Sequence, residues 1–276
     1  LEKIGSWPWL IWGTLIPSIL GLVLLTKPAR RLVARVLDID PGHPVHAVAL
    51  SLTMAPLVMM GMTIGIGLGN MTAGLEQQIE ETGLPPVSLG ALWAQAGMFI
   101  LIALVGVGWL SRRSIGQSLV RLGIVKPKLS EVLIGIGLAF ALVAAVMIVG
   151  AIASAMGMGE DQEVSDLTET LLGTLLASPL GILSIGLAAA IGEEPLFRGA
   201  AQPRFGLFVT AILFALVHNN YGLSFSTVIV FGLGLVLGLI RIRYNTTTSM
   251  ITHAVYNSTL VTLSMLAATV VQNAPK

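Results

Sequence analysis

The chain has 276 residues, of which 55% are hydrophobic and only 11% charged, and its mean hydropathy is +0.88. A soluble domain carries about 25% charged residues, so this is the composition of an integral membrane protein. A net charge of +1 with no basic block excludes a nucleic-acid partner, and the lack of cysteine excludes disulfides, thiol catalysis and cysteine-ligated metal.

About 20 apolar residues are needed to cross a bilayer. The first such run, 7–26, has no basic leader and no small-residue cleavage site, and "KPARR" follows it at once. It reads as a retained membrane helix rather than a signal peptide. Next comes "DIDPGHPVH", where Asp38, Asp40, His43 and His46 offer oxygen and nitrogen ligands; its turn formers predict a solvated loop. Spans are expected at 45–69 and 91–110, separated by an acidic outer loop at 70–90. The stretch "SIGQSLVRLGIVKPKLSE" is mildly amphipathic and is expected to lie along the membrane interface. A fourth span, 131–156, leads to a second acidic outer loop at 158–170, and "EDQEVSDLTETLLGTLL" before the fifth span reads as another surface segment. The remaining spans are 179–203, a shorter run at 206–218, then 223–243 and 247–270. Gly234 and Gly238 stand at GxxxG spacing and predict helix packing. The expected fold is an all-α polytopic membrane protein of about eight transmembrane helices. Residues 1–178 would form N-terminal helices and interfacial segments, and residues 179–270 a catalytic core in the last four helices.

Orientation follows from lysine and arginine. Thirteen basic residues fall on one side, from Lys27, Arg30, Arg31 and Arg35 through the Arg112–Lys128 loop to Arg198, Arg204, Arg241 and Arg243. Only Lys3 and Lys276 remain for the other side, which collects Glu76, Glu80, Glu81, Glu160, Asp161, Glu163, Asp166 and Glu169. Eight crossings satisfy this split, placing both termini outside the cytoplasm. The setting expected from these features is a prokaryotic inner membrane.

Polar groups inside such helices need a reason, because each ionised side chain near the bilayer centre costs about 2.5–3.5 kcal/mol on insertion scales. Glu193, Glu194 and Arg198 sit in "EEPLFR", His218 ends "FALVH", and His253 and Asn257 lie in "HAVYN". Glu194 and Arg198 are four residues apart, as are His253 and Asn257, so each pair shares a helix face. Arg198 can therefore neutralise one glutamate while the other, about 100° around the helix, faces elsewhere. At 1.5 Å per residue, Glu193, His218 and Asn257 each lie roughly 16–18 Å from the cytoplasmic end and His253 roughly 12 Å, so the four can meet.

In this order and spacing, "EEPLFR", "FALVH" and "HAVYN" resemble the motifs of the CAAX prenyl protease and bacteriocin-processing family, known in bacteria also as abortive-infection proteins. The resemblance covers about residues 179–265. It implies an intramembrane glutamic endopeptidase that hydrolyses peptide bonds of membrane-associated peptides or proteins. Glu193 would be the general base for a water shared with His218, since desolvation makes a carboxylate a better base. His253 and Asn257 would donate to the oxyanion, each worth about 2.7–4 kcal/mol. Glu194 and Arg198 would support the helix. No cofactor is implied. A zinc set of glutamate and two histidines stays open at this point, although no HExxH is present.

Two other classes compete. One is a non-catalytic membrane scaffold that regulates a partner membrane or cell-envelope protein. The other is a transporter, since buried acids and histidines also suit proton relays; its usual paired broken helices are not evident in the sequence.

Overall fold

A computed structural model describes residues 6–158 and 161–272; Lys3, Glu160 and Lys276 of the charge tally lie outside them. Among the described residues there are thirteen α-helices and no strand. They are α1 (Trp7–Leu24), α2 (Lys27–Val33), α3 (Pro44–Leu52), α4 (Ala55–Ile66), α5 (Leu68–Thr82), α6 (Leu89–Gly106), α7 (Ile115–Leu122), α8 (Leu129–Ala155), α9 (Gln162–Leu176), α10 (Pro179–Glu194), α11 (Gln202–Val217), α12 (Phe225–Arg243) and α13 (Thr246–Gln272).

Among the described residues, six helical runs are long and apolar enough to cross a membrane. The chain is an all-α polytopic membrane protein, and two details separate this count from the expected eight. The runs 179–203 and 206–218 join into one helical stretch, Pro179–Val217. The last helix, α13, has 27 residues, enough for about 40 Å. It is not among the six runs counted over the described residues. The break expected near residue 205 is present inside the merged stretch, where Gly206 has φ 78° and ψ 172°, a conformation open to glycine.

Both acidic segments, expected as outer loops, are helical. Gly67 (φ 85°) ends α4 and α5 starts at once, carrying Glu76, Glu80 and Glu81; α9 carries Glu163, Asp166 and Glu169. Both sequences are rich in helix formers with an apolar stripe, so amphipathic helices outcompete loops there. Thr72, Glu76, Glu163, Asp166 and Glu169 line a cavity of about 450 Å³. The amphipathic stretch after α6 forms α7, started by a capping box in which Ser114 and Gln117 satisfy each other's backbone N–H.

Two compact units divide the chain. The first comprises residues 1–84, 160–170 and 200–238. In it α1 crosses α4 so closely that a Cβ on Gly61 would lie 2.2 Å from the Gly13 carbonyl oxygen. Gly234 and Gly238 serve packing within the chain, against Ala211 and Phe214 and against Leu207 and Gln202. The 37–43 loop is ordered by its own polar groups: His46 Nδ1 accepts from the Asp40 N–H at 2.7 Å, and Asp38 Oδ2 pairs with Arg204 Nη1 at 2.7 Å.

The second unit comprises residues 85–159, 171–199 and 239–276, in which α10 packs against α6 and α13, and α13 also against α8. Its helices are apolar outside and polar inside. Leu133, Phe140 and Ile148 of α8 are exposed, whereas Ser184, Glu194, Arg198, Thr248, Ser249, Thr252 and His253 are buried. That inversion suits a lipid solvent, which rewards no polar surface. Close approach comes from small residues. A Cβ on Gly186 would lie 2.2 Å from Ser258 Oγ and 2.8 Å from the Ala254 carbonyl oxygen, and one on Gly192 would lie 2.8 Å from Ala96 Cα. Gly186→Leu must therefore spread α10 from α13, at a cost of about 1–3 kcal/mol. Unfolding of the purified variant in detergent at a correspondingly lower temperature is the expected result.

Candidate active site

The site is built on the end of α10. Ser178 Oγ accepts from the Gly181 N–H at 3.0 Å and Pro179 occupies the first turn, so the helix start is fixed by its sequence. Sixteen residues later Pro195 removes a backbone N–H, and the chain continues as a π-helical turn, Pro195–Ala201. Such single π turns inside helices are frequent at functional sites. Here the turn carries Arg198 back onto Glu194, with Nε 3.3 Å from Oε2 and both side chains fully buried.

The second glutamate oxygen reaches α13. Glu194 Oε1 lies 2.9 Å from His253 Nδ1, and His253 is itself only 1% exposed. A carboxylate can only accept here, so Nδ1 carries the proton and donates it. On the far side of the ring, Asn257 Nδ2 lies 3.2 Å from His253 Nε2. In the neutral ring Nε2 accepts, and the Asn257 amide donates one N–H to it. A chain thus runs Arg198–Glu194–His253–Asn257, from the π turn across to α13, buried as far as the histidine and half-buried at Asn257. The carboxylate fixes the imidazole's orientation and tautomer, as it does wherever a carboxylate backs a histidine.

Glu193, the neighbouring residue, is only half-buried, in contrast to fully buried Glu194. Two adjacent carboxylates therefore occupy different surroundings, one locked in the chain of partners and one partly accessible.

His218 belongs to the first unit and lies just after α11. Its Nδ1–H donates to the Phe214 carbonyl at 2.7 Å, which places the neutral ring's lone pair on Nε2. The Tyr221 ring lies parallel to it, 6.1 Å between centroids, and Phe214 is tilted against it at 4.9 Å. The following residue, Asn219, donates to Thr63 Oγ1 of α4 at 2.8 Å. Among the described residues, no group of three or more histidine, aspartate or glutamate side chains is arranged to hold a metal ion.

Several contributors were not singled out from the sequence. Asn245 caps α13, its Oδ1 accepting from the Thr248 N–H at 2.8 Å and the Thr248 hydroxyl at 3.1 Å. The string "NTTTS" just ahead of the histidine is the signal that could have revealed it, since an asparagine before a helix is a strong cap. Tyr221 and the Thr63–Asn219 bond leave no comparable trace, because one is an aromatic in a turn and the other joins residues 156 apart.

Breaking a buried pair strands a charge, at a cost of about 3–5 kcal/mol. Arg198→Met should therefore lower the unfolding free energy by about that amount. The double variant Glu194→Leu with Arg198→Met should recover part of the loss, because no charge remains behind. Denaturation of the three purified proteins side by side in one detergent measures both effects.

Residues 175–259 match the family model described as Rce1-like, type II CAAX prenyl endopeptidase. Neither a curated protein nor a solved structure matches the chain. The matched segment contains α10, the π turn, His218, His253 and Asn257, the parts that the motif resemblance picked out. Over residues 175–259, the segment that carries these groups, the chain is similar to Rce1-like type II CAAX prenyl endopeptidases.

Proposed function

We propose that the protein is an intramembrane endopeptidase of the CAAX type that uses a glutamate-activated water. The observation that carries the reading is the chain Arg198–Glu194–His253–Asn257, fully buried from Arg198 to His253, which engages one glutamate of the adjacent pair and leaves its neighbour Glu193 in half-buried surroundings. A protein that needed only a helix lock would have no use for the second acid.

Glu193 is the general base that takes the proton from the hydrolytic water. Partial removal from bulk water makes a carboxylate a stronger base. His218, with its proton on Nδ1, orients the water or delivers a proton to the leaving amine. The oxyanion of the tetrahedral intermediate is met from α13. With a neutral His253, the remaining N–H of Asn257 is the donor; with both ring nitrogens protonated, His253 Nε2–H donates as well. Each such donor supplies about 2.7–4 kcal/mol when aimed at the developing charge. Glu194 and Arg198 hold the frame. The reaction forms a C–O bond at the scissile carbonyl, breaks the C–N bond, and sends the water's two protons to the base and the departing amine.

The substrates are membrane-associated peptides or proteins in the bilayer, the cell is a prokaryote, and both termini lie outside the cytoplasm. No metal takes part in this chemistry, and no cofactor is needed. The alternative, a non-catalytic scaffold regulating a partner enzyme in the membrane or cell envelope, draws on the same fold without turnover.

The test compares protein termini in membranes of host cells carrying wild type or Glu193→Gln at equal abundance. Termini present only with wild type are expected, unchanged when the membranes are treated with a zinc chelator. Identical termini in the two strains overturn the reading and favour the scaffold; loss of the termini on chelation overturns the metal-free mechanism alone.

A further inference from the structure

The Glu194–His253 bond joins two separate helices, so something must hold those helices in register. The end of α7 and the connection to α8 touch both. Toward the glutamate helix, Arg121 Nη1 donates to the Gly199 carbonyl at 3.3 Å. A Cβ on Gly199 would lie only 2.8 Å from the Leu122 carbonyl oxygen, so the backbone of the π turn rests directly on the end of α7.

Toward the histidine helix the bonds are denser. The Leu122 carbonyl accepts the Thr246 hydroxyl at 2.5 Å, and the Gly123 carbonyl accepts the Thr246 N–H at 3.0 Å. Thr247 Oγ1 donates to the Val125 carbonyl at 2.8 Å and accepts the Val125 N–H at 3.0 Å. Thr246 and Leu122 are fully buried. The first N–H groups of a helix have no partner within it, and this connection supplies one from outside. Gly199 lies five residues from Glu194, and Thr246 seven from His253. At 1.5 Å per residue both helices are pinned about 7 and 10 Å along their axes from the paired side chains.

We propose that Thr246, together with Arg121, is a positioning residue: through Leu122–Val125 it fixes the register of the histidine helix against the glutamate helix, and with it the Glu194–His253 hydrogen bond. The inference deepens the peptidase reading for its activity readout and stands apart from it for its spectroscopic one. Thr246 lies ahead of the "HAVYN" motif, and Leu122–Val125 lies outside the matched segment altogether. A side chain that contacts none of the reacting groups thus controls them through backbone carbonyls.

The experiment uses the full chain in detergent, with histidine labelled by nitrogen-15, and four variants: Thr246→Val, Thr246→Ser, Arg121→Gln and Thr262→Val. Thr262 serves as the control because its hydroxyl bonds only to the Ser258 carbonyl within α13. His253→Gln assigns the Nδ1–H resonance of the ring. Thr246→Val is expected to move or broaden that resonance and to lower kcat about 10- to 100-fold, the scale of a misplacement near 1 Å, with KM within about twofold. Thr246→Ser keeps the hydroxyl and should retain both signal and rate; Thr262→Val should change neither. Arg121→Gln should shift the resonance in the same sense, and it carries the test if Thr246→Val does not fold. An unchanged resonance in Thr246→Val, or in Arg121→Gln where that variant stands in, overturns the proposal. If Glu193→Gln cleaves as well as wild type, the peptidase reading fails, and the resonance still decides the positioning role.

Discussion

A carboxylate and a guanidinium held at zero exposure inside a lipid-facing helix are the constraint on which this structure turns. Neither ion could stay there alone, since the effective penalty for burying a single charge is several kcal/mol. Glu194 is therefore given Arg198 on one oxygen and His253 on the other. Meeting both partners dictates much around it. Pro195 and the π turn bring Arg198 back onto the glutamate, and small residues along α10 let α13 come close enough for a 2.9 Å bond. The histidine so held gains a defined tautomer, and its second nitrogen is engaged by Asn257.

The same constraint separates two chemically identical neighbours. Glu193 and Glu194 differ by one position on one helix, yet the first is half-buried and the second fully enclosed. Environment, not residue type, sets two identical acids apart, the same principle by which enzymes with paired carboxylates divide their tasks. Glu194 is enclosed by its partners, and on the proposed reading Glu193 is the acid that acts.

Much of this was legible in the sequence, and the reasons are local. Apolar runs locate the spans because backbone in lipid must be helical. The i,i+4 spacing of Glu194 and Arg198 announces their pairing, and Gly206 marks the break that the structure places there. The acidic segments around Glu76 and Glu163 read as loops by their charge, yet an apolar stripe at helical spacing makes both of them helices. Other features depend on side chains that meet backbone carbonyls far away in the chain. Thr246 on Leu122 and Arg121 on Gly199 join residues 124 and 78 apart, and no periodicity encodes such bonds. Nor does spacing show which nitrogen of His253 faces the carboxylate, since only the packed helices decide that.

The central claim is that one glutamate holds the frame while the other does the chemistry. It is tested most directly by measuring melting temperature and peptide turnover on the same preparations of Glu193→Gln and Glu194→Gln. The account predicts that Glu193→Gln melts with the wild type and turns over nothing, whereas Glu194→Gln melts at a clearly lower temperature. A Glu193→Gln protein that still cleaves, or a Glu194→Gln protein as stable as wild type, would contradict it.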